Sequence, residues 1–441
     1  MDIKKIMVRP KQFPDTFLDM YSEVENSNDQ KTMCVTFVVT EDCMLKCSYC
    51  YQNCKTKNKM TIETGKKIID MLFEQSETYD GYINSNNSKA IILEFIGGEP
   101  LLEIELIDQI VEYFKYKAIA LNHPWQTKYM ISISTNGILY EDQRVEDFLE
   151  RNNGRISIGI TIDGDKELHD SCRVFPNGDG SYDIVASAFK KHLSKNFAKH
   201  TKMTLSPENL PYLFTGSVHL YNEIGLAEIA ANCIFEKGWT AEHAKIFYSE
   251  LKKLADWLLT EQRYEYKMNS LFESTIGSPL PEEDNQNWCG GTGKMLGISA
   301  DGKFYPCLRY MPFSLKENSP SFDIGDCNKG IGHTNEQRAR IEELKSVTRK
   351  SQSTDECFLC PIARGCAWCS AYNFEEFGTV NKRTTYICIM HKARVLANAY
   401  YWNKLYREIN SSDRFEMHVP KEWATEIISE DEYNMLLELS I

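Results

Sequence analysis

Between about residue 32 and residue 262, short apolar runs rich in β-branched residues alternate with longer amphipathic stretches, and this rhythm constrains the fold more than any other feature of the chain. The spacing predicts strands over Cys34–Thr40, Ile91–Ile96, Met130–Thr135, Ile156–Ile162, Lys202–Leu205 and Glu228–Ile234. Several are apolar at consecutive positions, as strands covered on both faces should be. Helical spacing runs over Thr61–Glu74, Glu103–Ala118, Glu141–Arg151, Ser181–His192, Glu208–Ile224 and Ala241–Leu259. Six strand-then-helix repeats imply a parallel α/β sheet with right-handed crossovers, either doubly wound or curled toward a barrel.

Past Ser278 the texture changes. The stretch SPLPEEDNQN has the composition of a Pro-rich acidic linker, and the chain beyond it is Gly- and Cys-dense and poor in long periodic segments. That pattern predicts a second domain organised by metal more than by a large apolar core. A final helix is expected over His391–Glu408, then a short polar tail. The expected division is an extension over 1–31, a barrel-like domain over 32–277, a Cys-rich domain over 278–408 and a tail over 409–441. With 63 acidic against 50 basic side chains the formal charge is -13, which argues against a groove that tracks nucleic-acid phosphates. No window approaches the roughly 20 apolar residues of a membrane span, and the N-terminus lacks a secretion-signal core. A cytoplasmic protein is expected, without nucleic-acid or membrane partners.

Fifteen cysteines are many for such a compartment, where disulfides are rare, so metal or redox chemistry is implied. They form one group near the N-terminus and another beyond residue 288, with only Cys172 and Cys233 between. Directly after the first strand comes Thr40-Glu-Asp-Cys43-Met-Leu-Lys-Cys47-Ser-Tyr-Cys50-Tyr, three thiols in one loop at the C-terminal edge of the sheet, where barrel-like folds do chemistry. A structural zinc site wants four protein ligands, and Cys54 or Cys34 could complete one. A four-iron cubane also has four corners, and three cysteines leave one iron free to bind a small molecule.

Here the sequence resembles the radical SAM superfamily, whose signature is three cysteines spaced as Cys43, Cys47 and Cys50 with an aromatic, here Tyr49, before the last. The resemblance implies a partial (βα)6 TIM-like barrel and a [4Fe-4S] cluster on those cysteines that chelates S-adenosylmethionine and cleaves it to a 5′-deoxyadenosyl radical. It also implies cofactor contacts along successive strand ends. Ile96-Gly97-Gly98-Glu99-Pro100 looks like the family's GGEP motif, with Glu99 a candidate acceptor for the methionine ammonium. Ser134-Thr135-Asn136-Gly137 ends the third strand, and Thr161-Ile162-Asp163-Gly164, followed by Arg173, the fourth. Hydroxyls and carboxylates there suit ribose, and a guanidinium suits a carboxylate by a forked contact.

The second cysteine group, Cys289, Cys307, Cys357, Cys360, Cys366, Cys369 and Cys388, resembles the SPASM extension of radical SAM enzymes that act on peptides, with two auxiliary [4Fe-4S] clusters. Two zinc ribbons are the alternative, since CxxC pairs are common zinc ligands. By the resemblance, Cys357, Cys360, Cys366 and Cys388 hold a distal cluster, and Cys289, Cys307 and Cys369 a nearer one that lacks a fourth protein ligand unless Cys327 supplies it. One departure is two residues, not three, between Cys366 and Cys369. Cys34, Cys54, Cys172, Cys233 and Cys327 default to buried small hydrophobes or surface thiols.

Together the halves imply a radical SAM peptide maturase, similar in segments such as Tyr305-Pro-Cys-Leu-Arg-Tyr-Met-Pro to maturases of Cys-repeat precursor peptides. The expected reaction joins a Cys sulfur to carbon in a Cys-containing precursor, fed by a flavodoxin- or ferredoxin-type donor. Alternatives are formylglycine formation as in sulfatase maturation, carbon-carbon cross-linking, or, outside catalysis, a zinc-organised binding protein. Any leader peptide is expected to bind the barrel, the Cys-rich domain or a separate protein.

Overall fold

The computed structural model describes residues 32–74, 88, 90–195, 200–287, 289–292 and 295–441, so the extension expected over 1–31 lies outside the described residues. The alternating pattern folds as six strand–helix units. β1 (Thr32–Thr40) leads to α1 (Ile62–Glu74), β2 (Ala90–Gly97) to α2 (Ile104–Ala120) and β3 (Tyr129–Thr135) to α3 (Gln143–Arg151). β4 (Ile156–Ile160) is followed by α4 (Lys166–Cys172) and α5 (Tyr182–Ser194), β5 (His200–Leu205) by α6 (Leu213–His219), and β6 (Glu228–Cys233) by α7 (Ala241–Leu259).

β1 to β4 pair in parallel in sequence order. The parallel ladder breaks after β4, and β5, β6 and the short β7 (Met268–Asn269) form their own parallel sheet. A side chain bridges the gap: Thr201 Oγ1 donates to Ile160 O at 3.0 Å and accepts from Ile162 N at 3.1 Å. The barrel is thus partial in the literal sense, two parallel ladders with Thr201 bridging the gap between them.

The Cys-rich segment does not stand apart from this sheet. β8 (Met295–Ile298) pairs in parallel with β1, Thr36 opposite Gly297. β9 (Lys303–Tyr305), β10 (Gly325–Asp326) and β11 (Gly330–Ile331) extend the same sheet in antiparallel fashion. α8 (Asn335–Ser346) and α9 (Ser370–Phe377) follow. Alternation sorts the faces: Val35, Phe37 and Val39 of β1 and Ile91, Leu93 and Phe95 of β2 enter the main core beneath the helices, with Phe37 and Phe95 stacked at 5.2 Å. Val38 and Ile96, on the opposite face, join a second apolar cluster with Tyr305, Tyr310, Met311, Phe313, Phe322 and Phe374. The Cys-rich region therefore has an apolar core of its own, and that core closes over the inner face of β1 and β2.

Three expectations change on the structure. The helix expected over Glu208–Ile224 is a 3₁₀ turn at Leu210–Tyr212, α6, and a π turn at Leu220–Ile224 that ends at Gly225 with φ of +85°. The last long helix, α10 (Cys388–Glu408), packs on α7 of the barrel, where Tyr400 Oη and Lys404 Nζ both donate to Asp256. The polar tail is folded: Phe415, Val419, Ile427 and Leu436 are buried in the main core, and Tyr248 Oη and Lys252 Nζ of α7 donate to Glu432 of α11 (Glu430–Leu439). Apolar residues at 415, 419, 424, 427 and 436 carried that signal, hidden among charges. Among the described residues no helix is long and apolar enough to cross a membrane.

Candidate active site

The first cysteine loop leaves β1 at Thr40 and is pinned on three sides. Toward β2, Gly98 N donates to Thr40 O at 2.9 Å and Glu99 N to Asp42 O at 2.8 Å. Toward α4, Lys46 N donates to Val174 O at 2.7 Å and Ser48 N to Cys172 O at 2.9 Å. Toward the Cys-rich region, Asn53 N donates to Phe313 O at 2.7 Å and its side-chain amide to Ser314 O at 3.1 Å. The glycines of GGEP serve the first of these contacts. A Cβ on Gly97 would lie 2.2 Å from Thr40 O, and one on Gly98 2.1 Å from Asp42 O, so only a hydrogen at Cα allows the two backbones to meet. Pro100 is buried and opens the short 3₁₀ turn beyond the motif.

Asn136 Nδ2 lies 3.7 Å from Cys43 Sγ and Arg173 Nη1 3.9 Å from Cys47 Sγ. Burial pushes the Cys47 thiol up to about 11 and raises that of Cys43, and each feels the charge of Cys50. Two half-buried thiols whose ionisation burial opposes, with the Cys50 sulfur on the same loop, are a donor set suited to iron or zinc. Among the described residues no three His, Cys, Asp or Glu side chains are grouped around a single metal-ion position. A cubane spreads its ligands over separate irons, and the loop fits that kind of group.

The strand-end residues are largely engaged with one another. Glu99 is fully buried: its Oε1 accepts from Leu101 N at 3.1 Å and from Thr135 Oγ1 at 2.6 Å, its Oε2 from Asn136 N at 2.8 Å. It buckles the end of β2 to the end of β3, which holds Asn136 against Cys43. Burial raises the Glu99 pKa. Asp163, also fully buried, accepts from the Tyr49 hydroxyl and pairs with Arg173 Nε at 2.7 Å. Arg173 in turn lies 5.4 Å over the Tyr49 ring. His169 supports the pair by accepting from Asp163 N at 3.3 Å on Nδ1, with Nε2 3.0 Å from Ser181 Oγ. Ser134 is exposed and Thr161 half-buried, on the inner face of the barrel. Below them, Glu94 accepts from Thr36 Oγ1, and Lys202 projects from β5, its pKa lowered by the surrounding protein although water reaches it.

Seven of the other cysteines fall into two sets. Cys289 and Cys307 flank Gly291, where an added Cβ would touch Cys307 Sγ at 3.5 Å and Cys289 Sγ at 3.6 Å, and Cys307 feels both Cys369 and Cys289. Cys366 feels Cys388, Cys357 and Cys360, and Arg383 Nη2 sits 3.1 Å from its sulfur. Cys327 is in neither set: its sulfur packs at Gly302 on the β9–β10 side, and its charged neighbours are Asp326, Lys67 and Asp301. Cys172 and Cys233 are buried, Cys54 is exposed, and Cys34 lies 4.0 Å from Glu94 inside the barrel. Sequence reasoning passes over Arg309, Ser370 and Arg383, each close in sequence or space to a cysteine. Arg309 pairs with Glu236 at 2.9 Å and feels Cys369, joining the loop after β6 to the first of these sets. A basic or hydroxyl residue one or two positions from a cysteine was the available signal at Arg309 and Ser370.

Residues 37–210 match the sequence profile of the Radical SAM superfamily, and this part of the chain is a radical SAM domain. An uncharacterized protein of Methanocaldococcus jannaschii is 33% identical over 175 residues, 40% of this chain and 54% of that protein. The antilisterial bacteriocin subtilosin biosynthesis protein AlbA of Bacillus subtilis is 23% identical over 289 residues, 64% of this chain and 56% of AlbA. The chain thus spans about half the length of these two relatives. Among solved structures, anSMEcpe with bound AdoMet and Kp18Cys peptide has a TM-score of 0.59 at 17% identity, over 86% of this chain and 98% of that one. Streptococcus suis SuiB bound to precursor peptide SuiA has a TM-score of 0.51 at 12% identity, over 83% of this chain and 78% of that one. The fold is that of SPASM-type radical SAM proteins, a partial α/β barrel followed by a Cys-rich region.

Proposed function

We propose that this chain is a radical SAM enzyme that modifies a ribosomally made, Cys-containing precursor peptide by joining a cysteine sulfur to carbon. The observation that carries this reading is the set Cys289, Cys307 and Cys369 beside the roof of the barrel, with Cys327 turned away from it. Three thiolates are one short of a cubane's four corners, which leaves a corner for a substrate thiolate. Peptides in the solved SPASM-type neighbours support the substrate class.

Three four-iron clusters are assigned: one on Cys43, Cys47 and Cys50, one on Cys289, Cys307 and Cys369, one on Cys357, Cys360, Cys366 and Cys388. When bound, the first cluster with S-adenosylmethionine supplies a radical able to take a hydrogen atom from substrate. The chain's own residues do the placing. Gly97 and Gly98 let the cysteine loop seat on β2, Glu99 fixes Asn136, and Pro100 shapes the turn. Ser134 and Thr161 offer hydroxyls on the inner face. Asp163, Arg173 and Tyr49 hold one side of the cofactor position, and Arg173, paired with Asp163 through Nε, retains further guanidinium N–H groups for a cofactor carboxylate. A small flavodoxin- or ferredoxin-type protein is the proposed electron donor.

The test is anaerobic co-expression with short Cys-rich precursors encoded nearby, followed by mass spectrometry and thiol alkylation. A product short of two hydrogens that has lost one alkylatable thiol is expected. Loss of sulfur would indicate formylglycine formation, and an unchanged thiol count would indicate carbon-carbon linkage. Iron near about 12 per chain is expected from four per cubane, and replacing Cys43, Cys47 and Cys50 by Ala should abolish S-adenosylmethionine cleavage while sparing the other clusters. Colourless, zinc-bearing protein would refute the whole reading.

A further inference from the structure

A hydroxyl pair stands behind Cys289. Ser370, fully buried, has its Oγ 3.2 Å from Cys289 Sγ. It is the first residue of α9, directly after Cys369, and its hydroxyl also faces Gly291 between the two other sulfurs. Tyr310 is likewise fully buried, three residues after Cys307, with its ring against Phe322 at 4.7 Å. Its hydroxyl is shut off from water and makes no hydrogen bond of good geometry among the described residues, although Ser370 is beside it. A buried phenol with an unsatisfied hydroxyl carries a desolvation cost, and a Phe would fill the same space without it. The position thus calls for an explanation that packing does not give.

The chemistry of the neighbouring sulfur supplies one. With a protonated cysteine, either partner of the 3.2 Å contact can donate. A thiolate that ligates iron has no proton, so it can only accept, and the Ser370 hydroxyl must then donate to it. That turn of the Ser370 proton toward sulfur frees both oxygen lone pairs, and the hydroxyl of Tyr310 is the donor placed to use one. The direction of every proton is set by the charge on sulfur.

We infer that Tyr310, Ser370 and Cys289 form a hydrogen-bond relay that raises the reduction potential of the iron–sulfur group held by Cys289, Cys307 and Cys369. The inference rests on the cluster assignment proposed above. A hydrogen bond to a ligating sulfur draws charge from it and favours the reduced state, and such bonds are among the terms that set cluster potentials. Ser370 acts on the sulfur, and Tyr310 is a positioning residue that acts through Ser370. The relay suits a group that must accept an electron when a substrate radical is oxidised.

The test uses anaerobically reconstituted holoenzyme and needs no substrate. Redox titration followed by electron paramagnetic resonance should show one auxiliary signal shifted to lower potential in Ser370→Ala, the others unmoved, with iron content unchanged. Tyr310→Phe should shift the same signal in the same direction. The double variant should match Ser370→Ala, because the phenol has no route to sulfur without the serine. Ser370→Thr keeps the hydroxyl and should restore the wild-type potential. Equal potentials in wild type and Ser370→Ala would overturn the relay, as would additive shifts in the double variant. Loss of iron from both Ser370→Ala and Tyr310→Phe would also overturn it, by showing a structural strut. Failure of the underlying assignment is separable: Cys289→Ala would then have the same iron content as wild type.

Discussion

Replacing Gly98 by Ala isolates the contact that seats the first cysteine loop. Gly98 is not among the residues with positive φ, so alanine meets no backbone strain there and the effect comes from contact alone. Its Cβ would lie 2.1 Å from Asp42 O, 2.5 Å from Asp42 C and 2.8 Å from Glu41 O. Real Cβ atoms do not approach other heavy atoms within 3.0 Å, so the loop backbone must retreat by roughly 1 Å. Two backbone hydrogen bonds, Gly98 N to Thr40 O and Glu99 N to Asp42 O, stretch or break with it. At about 1 kcal/mol for each bond and about 1 to 3 kcal/mol for overpacking, the cost is about 3 to 5 kcal/mol. Metal sites tolerate errors of about 0.2 Å in ligand distance, so a shift of Cys43 on this scale empties the site. The expected result is loss of about four irons per chain and a lower urea midpoint by circular dichroism. Gly159→Ala, whose Cβ meets nothing nearer than 3.9 Å among the described residues, is the matched control. Wild-type iron and midpoint in Gly98→Ala would refute the reasoning.

Burial depresses His169 and His391 to about 4, so each stabilises the fold fully above the ordinary value and loses that contribution as pH falls from about 6.5 to about 4. At about 1.4 kcal/mol per unit that is roughly 3 kcal/mol each, and His391→Gln, which keeps a donor for Ile362 O, should flatten the acid side of the urea-midpoint profile by about half. Cys327→Ala should leave iron content and cluster spectra unchanged, since its sulfur packs at Gly302 away from the other cysteines; loss of about four irons would make it a ligand. Arg383→Ala removes the guanidinium that contacts both the sulfur and carbonyl of Cys366 at 3.1 Å, and iron analysis should show preferential loss of the distal cluster on mild chelation.

Local order was legible wherever one residue type answers to one physical demand. All six strands lie within two residues of their expected bounds, because short apolar, β-branched runs fit a pleated, buried surface. The assignment of the cysteines to three sets comes from spacing and resemblance and stands as a proposal. What could not be read was pairing across distance. β8 joins the barrel sheet beside β1 through only four residues, too short for a periodic signal. The folded tail was missed because its buried residues are spaced among charges, and its partner α7 lies far back in the chain.

Glu99 and Arg173 show a deeper limit. Sequence places a carboxylate and a guanidinium at strand ends, and the chemistry of each suits a cofactor ammonium or carboxylate. Residue type does not reveal whether lone pairs and N–H groups are free. In the structure both Glu99 oxygens hold β3 in place, and Nε and Nη1 of Arg173 are turned to Asp163 and the Cys47 sulfur. The same holds for the glycines before Glu99: their need for close approach was legible, but the partner is the chain's own loop. A motif shared by a family therefore names the residues that build a site more securely than those that touch its ligand. Here GGEP acts first on Cys43, through Asn136 and the loop backbone, and any contact it makes with S-adenosylmethionine is built on that placement.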